Sequence, residues 1–307
     1  PDLITLRGAE RLKKADVVIY AGSLVNPVLL GLCSAQCRIF NSAEMTLEQV
    51  LSTMEQAERE QKQTVRLHTG DPCLYGAIQE QMDALKKRGI PYTLTPGVSS
   101  FCGAAAAVEG EYTLPGISQT VIITRMAGRT PVPERENIAS LAEHGATMVI
   151  FLSASLLDGL QEALLQGAYT QQTPAALVYK ATWPEEKVVR CPLGELAQAG
   201  RDHGISKTAL VLVGDFLSGD YTRSRLYAPD FSTEFRRHPN ELGFAAFSAQ
   251  GYALAQRLAQ VLGGTATRCG VDCPLRDWIR EAFSRYEGLV FVGAVGIAVR
   301  AIAPYVQ

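Results

Sequence analysis

The 307-residue sequence contains no long apolar run and no excess of charge of one sign. No stretch approaches the roughly 18 consecutive apolar residues that a membrane-spanning helix needs, so a membrane protein is not expected. Lysine and arginine number 29 against 31 aspartates and glutamates, for a formal net charge of −2. That balance provides no basic field, and nucleic acid is therefore not an expected partner.

Histidine is scarce and cysteine is scattered, with 4 and 7 residues respectively. An odd number of dispersed cysteines favours a reduced, cytoplasmic setting over a disulfide framework. Two C-x-x-x-C pairs, Cys33 with Cys37 and Cys269 with Cys273, could suggest zinc. They are far apart in sequence and no histidine lies at a finger-like spacing, so we expect no protein-bound metal and neutral or buried cysteines.

Strand and helix signals alternate along most of the chain, which is typical of an α/β fold. Because a domain typically has about 100–200 residues, the length of this chain predicts two or three domains. The alternation is interrupted at 109–118 and again at 216–242. We therefore predict an N-terminal α/β domain at 1–115, a second α/β domain at 116–228, a linker at 229–242 and the start of an incomplete α/β unit at 243–307.

Local patterns predict the individual elements of these domains. Runs at 175–179 and 187–191 are separated by a short loop and predict a hairpin, so the second sheet is expected to be mixed. Thr46, followed three residues later by Gln49, predicts a capping box. Further strands are predicted at 16–20, 64–67, 92–95, 120–124, 147–152, 209–213, 244–247 and 289–292, and helices at 77–88, 103–108, 134–144, 156–166, 193–203, 250–262 and 275–286.

The most informative stretch runs from His68 to Gly76 and reads His-Thr-Gly-Asp-Pro-Cys-Leu-Tyr-Gly. A strand that breaks on Gly-Asp-Pro and restarts as a helix places backbone N–H groups and a carboxylate at the carboxyl edge of a sheet. Open α/β sheets bind ligands at that edge. A purely structural interpretation stays open, because Asp71 could cap the helix and Pro72 suits a first helical turn.

A second strand-to-helix turn of this kind lies at Pro96-Gly97-Val98-Ser99-Ser100, between the predicted strand 92–95 and a small-residue helix. We call residues 68–76 the first corner and residues 96–100 the second corner. Two such corners close together in sequence predict one small-molecule pocket, although both serines could simply be helix N-caps. The position two residues after Ser99 is Phe101 rather than glycine. A nucleophile elbow, and with it an acyl-transfer hydrolase, is therefore not expected.

Positive charge follows two of the predicted strands. Arg125 and Arg129 lie in the loop after 120–124, and Lys180 lies at the hairpin tip. Arginine clusters suit bidentate recognition of carboxylates or phosphates, but each of these side chains could equally be solvated surface. The Gly293–Gly296 turn resembles a phosphate-type loop without matching G-x-G-x-x-G, so it indicates little alone.

Several segments of the sequence, taken in order, resemble the tetrapyrrole methylase family, and within it the group that methylates carbon 11 of precorrin-4 or cobalt-precorrin-4. The resemblance extends over residues 1–228. The segments that carry it are 3–8, 20–25, 68–76, 96–100, 123–125, 179–186 and 208–214.

The resemblance implies a fold, a reaction and an assembly. It implies two αβα units with a cleft between them, S-adenosylmethionine as co-substrate, a homodimer and a tetrapyrrole substrate that is expected to carry cobalt. The reaction would move a methyl group to ring carbon 11 during cobalamin synthesis. Such a displacement needs alignment and exclusion of water more than an acid or base, so no catalytic acid or base is assigned.

The resemblance also implies roles for individual residues. The methionine end of the donor would lie against Gly70, Asp71, Leu74, Ser99 and Ser100. Its adenosine would lie against Leu152, Ala181, Ala209 and Leu210. From their charge, we infer that Arg125, Arg129 and Lys180 meet the acetate and propionate groups of the macrocycle.

The two ends of the chain carry expectations of their own. The family opens with a strand and a Gly-Pro-Gly-Asp-Pro turn, and Pro1 corresponds to the last proline of that turn. We therefore expect that strand and turn to be missing and no signal peptide to be present. The segment 286–304 resembles the start of a cobalt-precorrin-5A hydrolase, which indicates a fusion of pathway enzymes and favours the cobalt-first, anaerobic branch.

Other interpretations remain open. Another precorrin or uroporphyrinogen methyltransferase would share these motifs, as would a member acting on a protein. A catalytically inert ligand-binding fragment is the alternative from a different class.

Overall fold

The computed structural model describes residues 1–219, 221–228, 231 and 242–306. Most of the predicted linker at 229–242 therefore lies outside the described residues. The chain divides into two compact units, Pro1–Arg223 and Ser224–Gln307. In the described part, no helix combines the length and hydropathy needed to cross a bilayer.

The first half of the first unit contains a three-stranded parallel sheet in the order β2-β1-β3. Its core forms where the apolar strands meet one face of a helix that begins with the predicted capping box, in which Thr46 and Gln49 satisfy each other's backbone N–H groups. The elements are α1 (Leu6–Lys13), β1 (Val17–Tyr20), β2 (Arg38–Asn41), α2 (Leu47–Arg59), β3 (Thr64–Leu67), α3 (Gln79–Lys87) and α4 (Ser100–Ala107).

The predicted strand at 92–95 is wrong. Residues 91–99 form neither helix nor strand, and β3 is the edge strand of its sheet as far as the structure is described. Parts of both segments line a cavity of about 640 Å³. The β-type pattern at 92–95 is present, but a strand also needs a hydrogen-bonded neighbour, and the sequence pattern cannot supply one.

The second half of the first unit contains a five-stranded sheet in the order β4-β5-β8-β6-β7. Strands β4 and β5 are parallel, whereas β5–β8, β8–β6 and β6–β7 are antiparallel, which confirms the predicted hairpin and mixed sheet. The elements are β4 (Val121–Arg125), α5 (Ile138–Ala142), β5 (Thr147–Phe151), α6 (Leu157–Leu165), β6 (Pro174–Tyr179), β7 (Lys187–Pro192), α7 (Leu196–Asp202) and β8 (Ala209–Val213).

The predicted helix at 134–144 is shorter than expected. A single 3-10 turn at Glu134–Glu136 precedes it. Asn137 then has an extended backbone, and its side chain accepts a hydrogen bond from the N–H of Ser140. This cap starts α5 at Ile138 because an asparagine that satisfies an N-terminal N–H favours a helix start over a continuous helix.

Both faces of the second sheet are covered. Alternate residues of β5 point to opposite sides, so Met148 packs in the core formed with α5, α6 and α7, and Val149 packs in a second core. That second core includes Ala104 of α4 and Phe216. Helix α4 thus joins the two halves of the first unit by packing on the second sheet.

The second unit is a parallel three-stranded sheet in the order β10-β9-β11. Strand β10 was not predicted, because it is short and begins at the second of two consecutive glycines. The core is built on Phe244, Trp278 and Ile279, each nearly inaccessible to solvent. The elements are β9 (Leu242–Ala246), α8 (Ala249–Leu262), β10 (Gly264–Arg268), α9 (Leu275–Arg285), β11 (Gly288–Val292) and α10 (Val295–Ile302).

Candidate functional site

The two corners predicted from the sequence are in direct contact. One carboxylate oxygen of Asp71 accepts a hydrogen bond from the N–H of Cys73 at 2.8 Å, and the other accepts from the N–H of Gly97 at 2.9 Å. A Cβ atom on Gly97 would overlap the carbonyl oxygen of Gly70, and one on Gly70 would lie 3.1 Å from Cα of Ser99. Asp71 therefore fastens one corner to the other, and the glycines permit their close approach.

These hydrogen bonds fix the charge state of Asp71. Partial burial alone would raise the pKa of this carboxyl, but the hydrogen bonds with Cys73 and Gly97 outweigh it and hold the pKa below its usual value. Asp71 is thus an ionised acceptor at neutral pH rather than a proton donor. It does not cap a helix, since α3 begins at Gln79 without a side-chain cap.

Ser99 and Ser100 lie at the start of α4, as predicted. Ser99 occupies the N-cap position, but its side chain makes no capping hydrogen bond. Its side chain is buried, whereas Ser100 is exposed. The interpretation of these serines as ordinary capping residues is therefore not supported for the Ser99 hydroxyl.

Strained backbone is concentrated around this region. A left-handed conformation is unfavourable for any residue with a side chain, and such positions cluster at functional sites. Eight residues other than glycine have positive φ in the described ranges. Six of these lie in the turn after Asp71, at the end of β5, in the β6–β7 hairpin or just before β8, namely Tyr75, Ala77, Leu152, Lys180, Thr182 and Thr208.

Strand pairing brings several predicted residues to one edge of the second sheet. Arg125 is the register partner of Phe151, which precedes Leu152. Tyr179 is the partner of Ala209, and the N–H of Lys180 donates to the carbonyl of Thr208 at 2.9 Å. The ends of β4, β5 and β6 and the beginning of β8 thus lie along the same edge.

Two contacts join that edge to the region of the two corners, one through α4 and one through the first corner. A Cβ atom on Gly103 of α4 would lie 3.0 Å from the side chain of Thr182 and 3.6 Å from Cβ of Ala181, so the hairpin packs closely on this helix. The ring of Tyr75 lies 5.3 Å from the ring of Phe151. Sequence reasoning missed both contacts, because residues far apart in the chain make them and no local pattern indicates them.

The proposed donor-binding side chains differ in exposure. Leu152 is 59% exposed, although it directly follows a strand whose residues are all buried. Leu74 and Ala181 are half-buried, whereas Ala209 and Leu210 are buried. Leu210 belongs to the core that also contains Ala104 of α4.

The three predicted cationic residues have different surroundings. The guanidinium of Arg125 donates to the carbonyls of Met126, Thr130 and Pro131 at 3.4, 3.1 and 2.7 Å, so it shapes its own loop. Lys180 lies 3.6 Å from a carboxylate oxygen of Glu185 and 4.9 Å from the centre of the Trp183 ring. Arg129 is exposed, and its side chain has no protein partner among the residues described.

His68, at the start of the first corner, is also held in an unusual state. Burial, and then the neighbouring charge of Arg66, lower the pKa of His68 to about 4. Its Nε2 atom and the hydroxyl of Thr64 are buried without a hydrogen-bond partner in the described structure. Both residues line the cavity of about 640 Å³.

In the part of the chain that the structure describes, no group of three or more histidine, cysteine, aspartate or glutamate side chains converges. All seven cysteines are free thiols. Burial raises the pKa of Cys37 and of Cys269 to about 11, so these thiols are protonated at neutral pH.

The chain belongs to the tetrapyrrole (corrin/porphyrin) methylases, whose family model matches residues 1–197. A second model, described as the N-terminal part of cobalamin synthesis G, matches residues 277–307. Both matches confirm the resemblances found in the sequence.

Individual relatives narrow the comparison. A cobalt-precorrin-4 C(11)-methyltransferase of Methanocaldococcus jannaschii is 48% identical over 238 residues, covering 77% of this chain and 92% of the relative. The enzyme of the same name from Priestia megaterium is 46% identical, covering 77% of this chain and 93% of the relative.

Solved structures agree with the fold. A cobalt precorrin-4 methyltransferase superposes with a TM-score of 0.69 at 46% identity, covering 71% of this chain and 91% of that one. A uroporphyrin-III C-methyltransferase from Thermus thermophilus superposes with a TM-score of 0.59 at 28% identity, covering 71% and 90%. The α/β methylase fold expected from the sequence is confirmed.

Proposed function

We propose that this protein transfers the methyl group of S-adenosylmethionine to carbon 11 of cobalt-precorrin-4 in cobalamin synthesis. The observation that carries the proposal is the 46–48% identity to two enzymes named for this reaction. A precorrin-4 C(11)-methyltransferase of Mycobacterium tuberculosis is 41% identical over 229 residues. The methylated carbon is the same in both groups of relatives, and the higher identity favours the cobalt-bound substrate.

The two joined corners fit the methionine end of the donor. Gly70, Asp71, Leu74, Ser99 and Ser100 would form this part of the site. Gly70 and Gly97 allow the two backbones to approach where side chains would collide. Asp71 would act mainly by holding the corners together, since backbone N–H groups of the protein occupy both of its oxygens.

The edge of the second sheet, where β5 and β6 end and β8 begins, would hold the adenosine of the donor. Leu152 offers an exposed apolar side chain there, and Ala181 lies in the hairpin that packs on α4. Ala209 and Leu210 would contribute through the beginning of β8, since their side chains are buried.

Bound S-adenosylmethionine supplies an electrophilic methyl group, and the residues of this chain would align and shield it. No proton need be moved by the corner, which agrees with an ionised Asp71 committed to backbone N–H groups and a neutral, half-buried His68. Alignment and exclusion of water are the contributions that a displacement of this kind requires.

Cationic side chains would bind the carboxylates of the macrocycle. Arg129 is the strongest candidate because it is exposed and has no protein partner in the described part. Arg125 would support it by holding the loop that carries it. Lys180 would contribute from the hairpin, where Glu185 now lies close to it.

The domain arrangement is a further part of the proposal. Residues 1–115 and 116–228 would be the two methylase domains, 229–242 a linker and 243–307 the beginning of a second cobalamin enzyme. The separation into compact units after Arg223 supports this division. The family resemblance also suggests a cytoplasmic homodimer.

One more strand would complete the first sheet. The edge strand β3 and the segment 90–98 both line the same cavity, and two buried polar atoms of Thr64 and His68 lack partners beside it. A strand placed there would supply the hydrogen-bonded neighbour that both segments lack in the described residues.

Two measurements test the function. Isothermal titration of the full-length protein with S-adenosylhomocysteine should show binding, and absence of binding would contradict a methyltransferase. Incubation with S-adenosylmethionine and cobalt-precorrin-4 should add one methyl group by mass spectrometry, with donor-free incubation as the control. Binding without methylation would require another tetrapyrrole substrate.

A further inference from the structure

Tyr75 adopts a conformation that its residue type disfavours. Its φ is +56°, and that of Ala77 is +48°. Between them, a Cβ atom on Gly76 would overlap the carbonyl oxygen of Pro72, so the turn is tightly closed. A tyrosine persists in a left-handed backbone only where its surroundings determine it, and such positions concentrate at functional sites.

This backbone directs the ring from the first corner toward the second sheet. The ring of Tyr75 packs at 47° on that of Phe151, with 5.3 Å between the centres. Phe151 ends β5 and lies opposite Arg125 of β4. Tyr75 itself remains 44% exposed. It therefore stands between the donor-binding corner and the arginine-bearing loop after β4, with part of its ring uncovered.

The hydroxyl of Tyr75 remains protonated at neutral pH. Burial raises its pKa, which Arg125 lowers and Glu136 raises to a smaller extent. The contact of the Tyr75 ring with Phe151, the register partner of Arg125, places the ring near the end of β4. No hydrogen bond to this hydroxyl occurs within the described ranges, so it can donate to a ligand.

We propose that Tyr75 contacts the tetrapyrrole, with its uncovered ring surface packed on the macrocycle and its hydroxyl donating to a substrate carboxylate. The inference rests on the proposed function and adds a substrate-contacting residue to it. An aromatic ring is suited to this because it packs on a flat macrocycle and still carries a polar atom. The nearby Arg125 loop makes a carboxylate the fitting acceptor.

Two variants separate the ring from the hydroxyl. Tyr75→Phe removes only the hydroxyl, and Tyr75→Gly removes the ring while suiting the left-handed backbone. Phe283→Ala is a matched control, because Phe283 is 42% exposed and its ring lies 5.4 Å from that of Tyr305 in the second unit. If Tyr75→Gly does not fold, Tyr75→Asn replaces it, since asparagine tolerates the same conformation.

The readouts are the KM and kcat for cobalt-precorrin-4 and the dissociation constant of S-adenosylhomocysteine. We expect Tyr75→Gly to raise KM about tenfold, Tyr75→Phe to raise it about threefold, and both to leave donor affinity within about twofold. Phe283→Ala should change none of these values.

The opposite pattern overturns the inference. Weakened donor binding with an unchanged KM would place the ring in the donor site, and an unchanged KM, kcat and donor affinity would leave it only a packing role. Both results require an active wild-type protein. Failure of the wild type to bind donor or to methylate would instead contradict the proposed function.

Discussion

Two strand-to-helix turns of this protein look alike in sequence and differ in structure. The first, after β3, contains Gly70 and Asp71, and the second, after β11, spans Gly293–Gly296. Asp71 fastens the first turn to Gly97 of a neighbouring corner. In the second, Val295 begins α10 and is 75% exposed. A glycine-rich turn thus becomes a candidate site when a second loop is held against it, and glycine content alone does not distinguish the two.

Substituting one glycine in each region should give the largest contrast. In Gly97→Ala the new methyl group overlaps the backbone of Gly70, whereas in Gly296→Ala it meets only the end of Arg300 at 3.9 Å. We expect Gly97→Ala to weaken S-adenosylhomocysteine binding about 100-fold by forcing the corners apart. Gly296→Ala should leave it unchanged and stabilise the second unit by about 0.5 kcal/mol. Calorimetric titration and thermal unfolding measure both; equal donor affinities would contradict the contrast.

Removing the carboxylate should have the next largest effect. Asp71→Ala loses two hydrogen bonds to an ionised group, so we expect donor binding to weaken about 30-fold. Asp71→Asn keeps one acceptor oxygen, so donor binding should weaken only about fivefold. Asp272→Ala is the matched control, because Asp272 accepts from the N–H of Arg268 at 2.7 Å in the second unit. Donor affinity unaffected by Asp71→Ala would show that the fastening between corners does not matter for binding.

The first turn should also make stability depend on pH. The pKa of His68 is about 4 in the folded protein, against an ordinary value of 6.5. Above pH 6.5 the group is neutral in both states and contributes nothing. Between about pH 6.5 and 4 the unfolded chain binds a proton that the folded protein does not.

The free energy of unfolding should therefore fall as the pH is lowered from 6.5 to 4. The expected decrease is on the order of 2 kcal/mol once the partial exposure of His68 is allowed for. Urea unfolding at several pH values measures it, with His68→Gln as the comparison. An identical pH dependence in both proteins would assign the effect to other groups.

The smallest expected effect concerns Leu152, whose φ is +52°. Leu152→Gly relieves the left-handed strain and should stabilise the protein by up to about 1 kcal/mol. It also removes an exposed apolar surface from the proposed adenosine site, so donor affinity should fall about threefold. Thermal unfolding and calorimetry follow the two changes separately. Destabilisation together with unchanged affinity would argue against both the strain and the contact.

Much of the fold follows from the sequence where burial determines the pattern. Strands β3 and β8 were predicted with their observed bounds. For β8 the reason is a short, fully buried apolar run between turn residues, which permits few alternatives. The β6–β7 hairpin and the capping box at Thr46 follow from local rules of the same kind. The segment 92–95 failed because pairing depends on a neighbour elsewhere in the chain.

The site was less predictable for a related reason. The corners could be named from their glycines, but the bond between Asp71 and Gly97 spans 26 positions and has no local signature. Left-handed backbone at Tyr75 and Leu152 carries no residue-type signal, because neither side chain favours it. Arg125 was chosen for its charge, and only the loop geometry reveals that carbonyl oxygens hold it.

The most direct test of methyl transfer at the joined corners uses S-adenosylmethionine labelled with carbon-13 in its methyl group. The full-length protein is incubated with this donor and cobalt-precorrin-4, and the product is examined by NMR. We predict one labelled methyl group, attached to carbon 11, and a much lower yield of it when Gly97→Ala replaces the wild type at the same donor concentration. Label at another carbon, or the same yield from both proteins, would contradict the assignment of this reaction to this site.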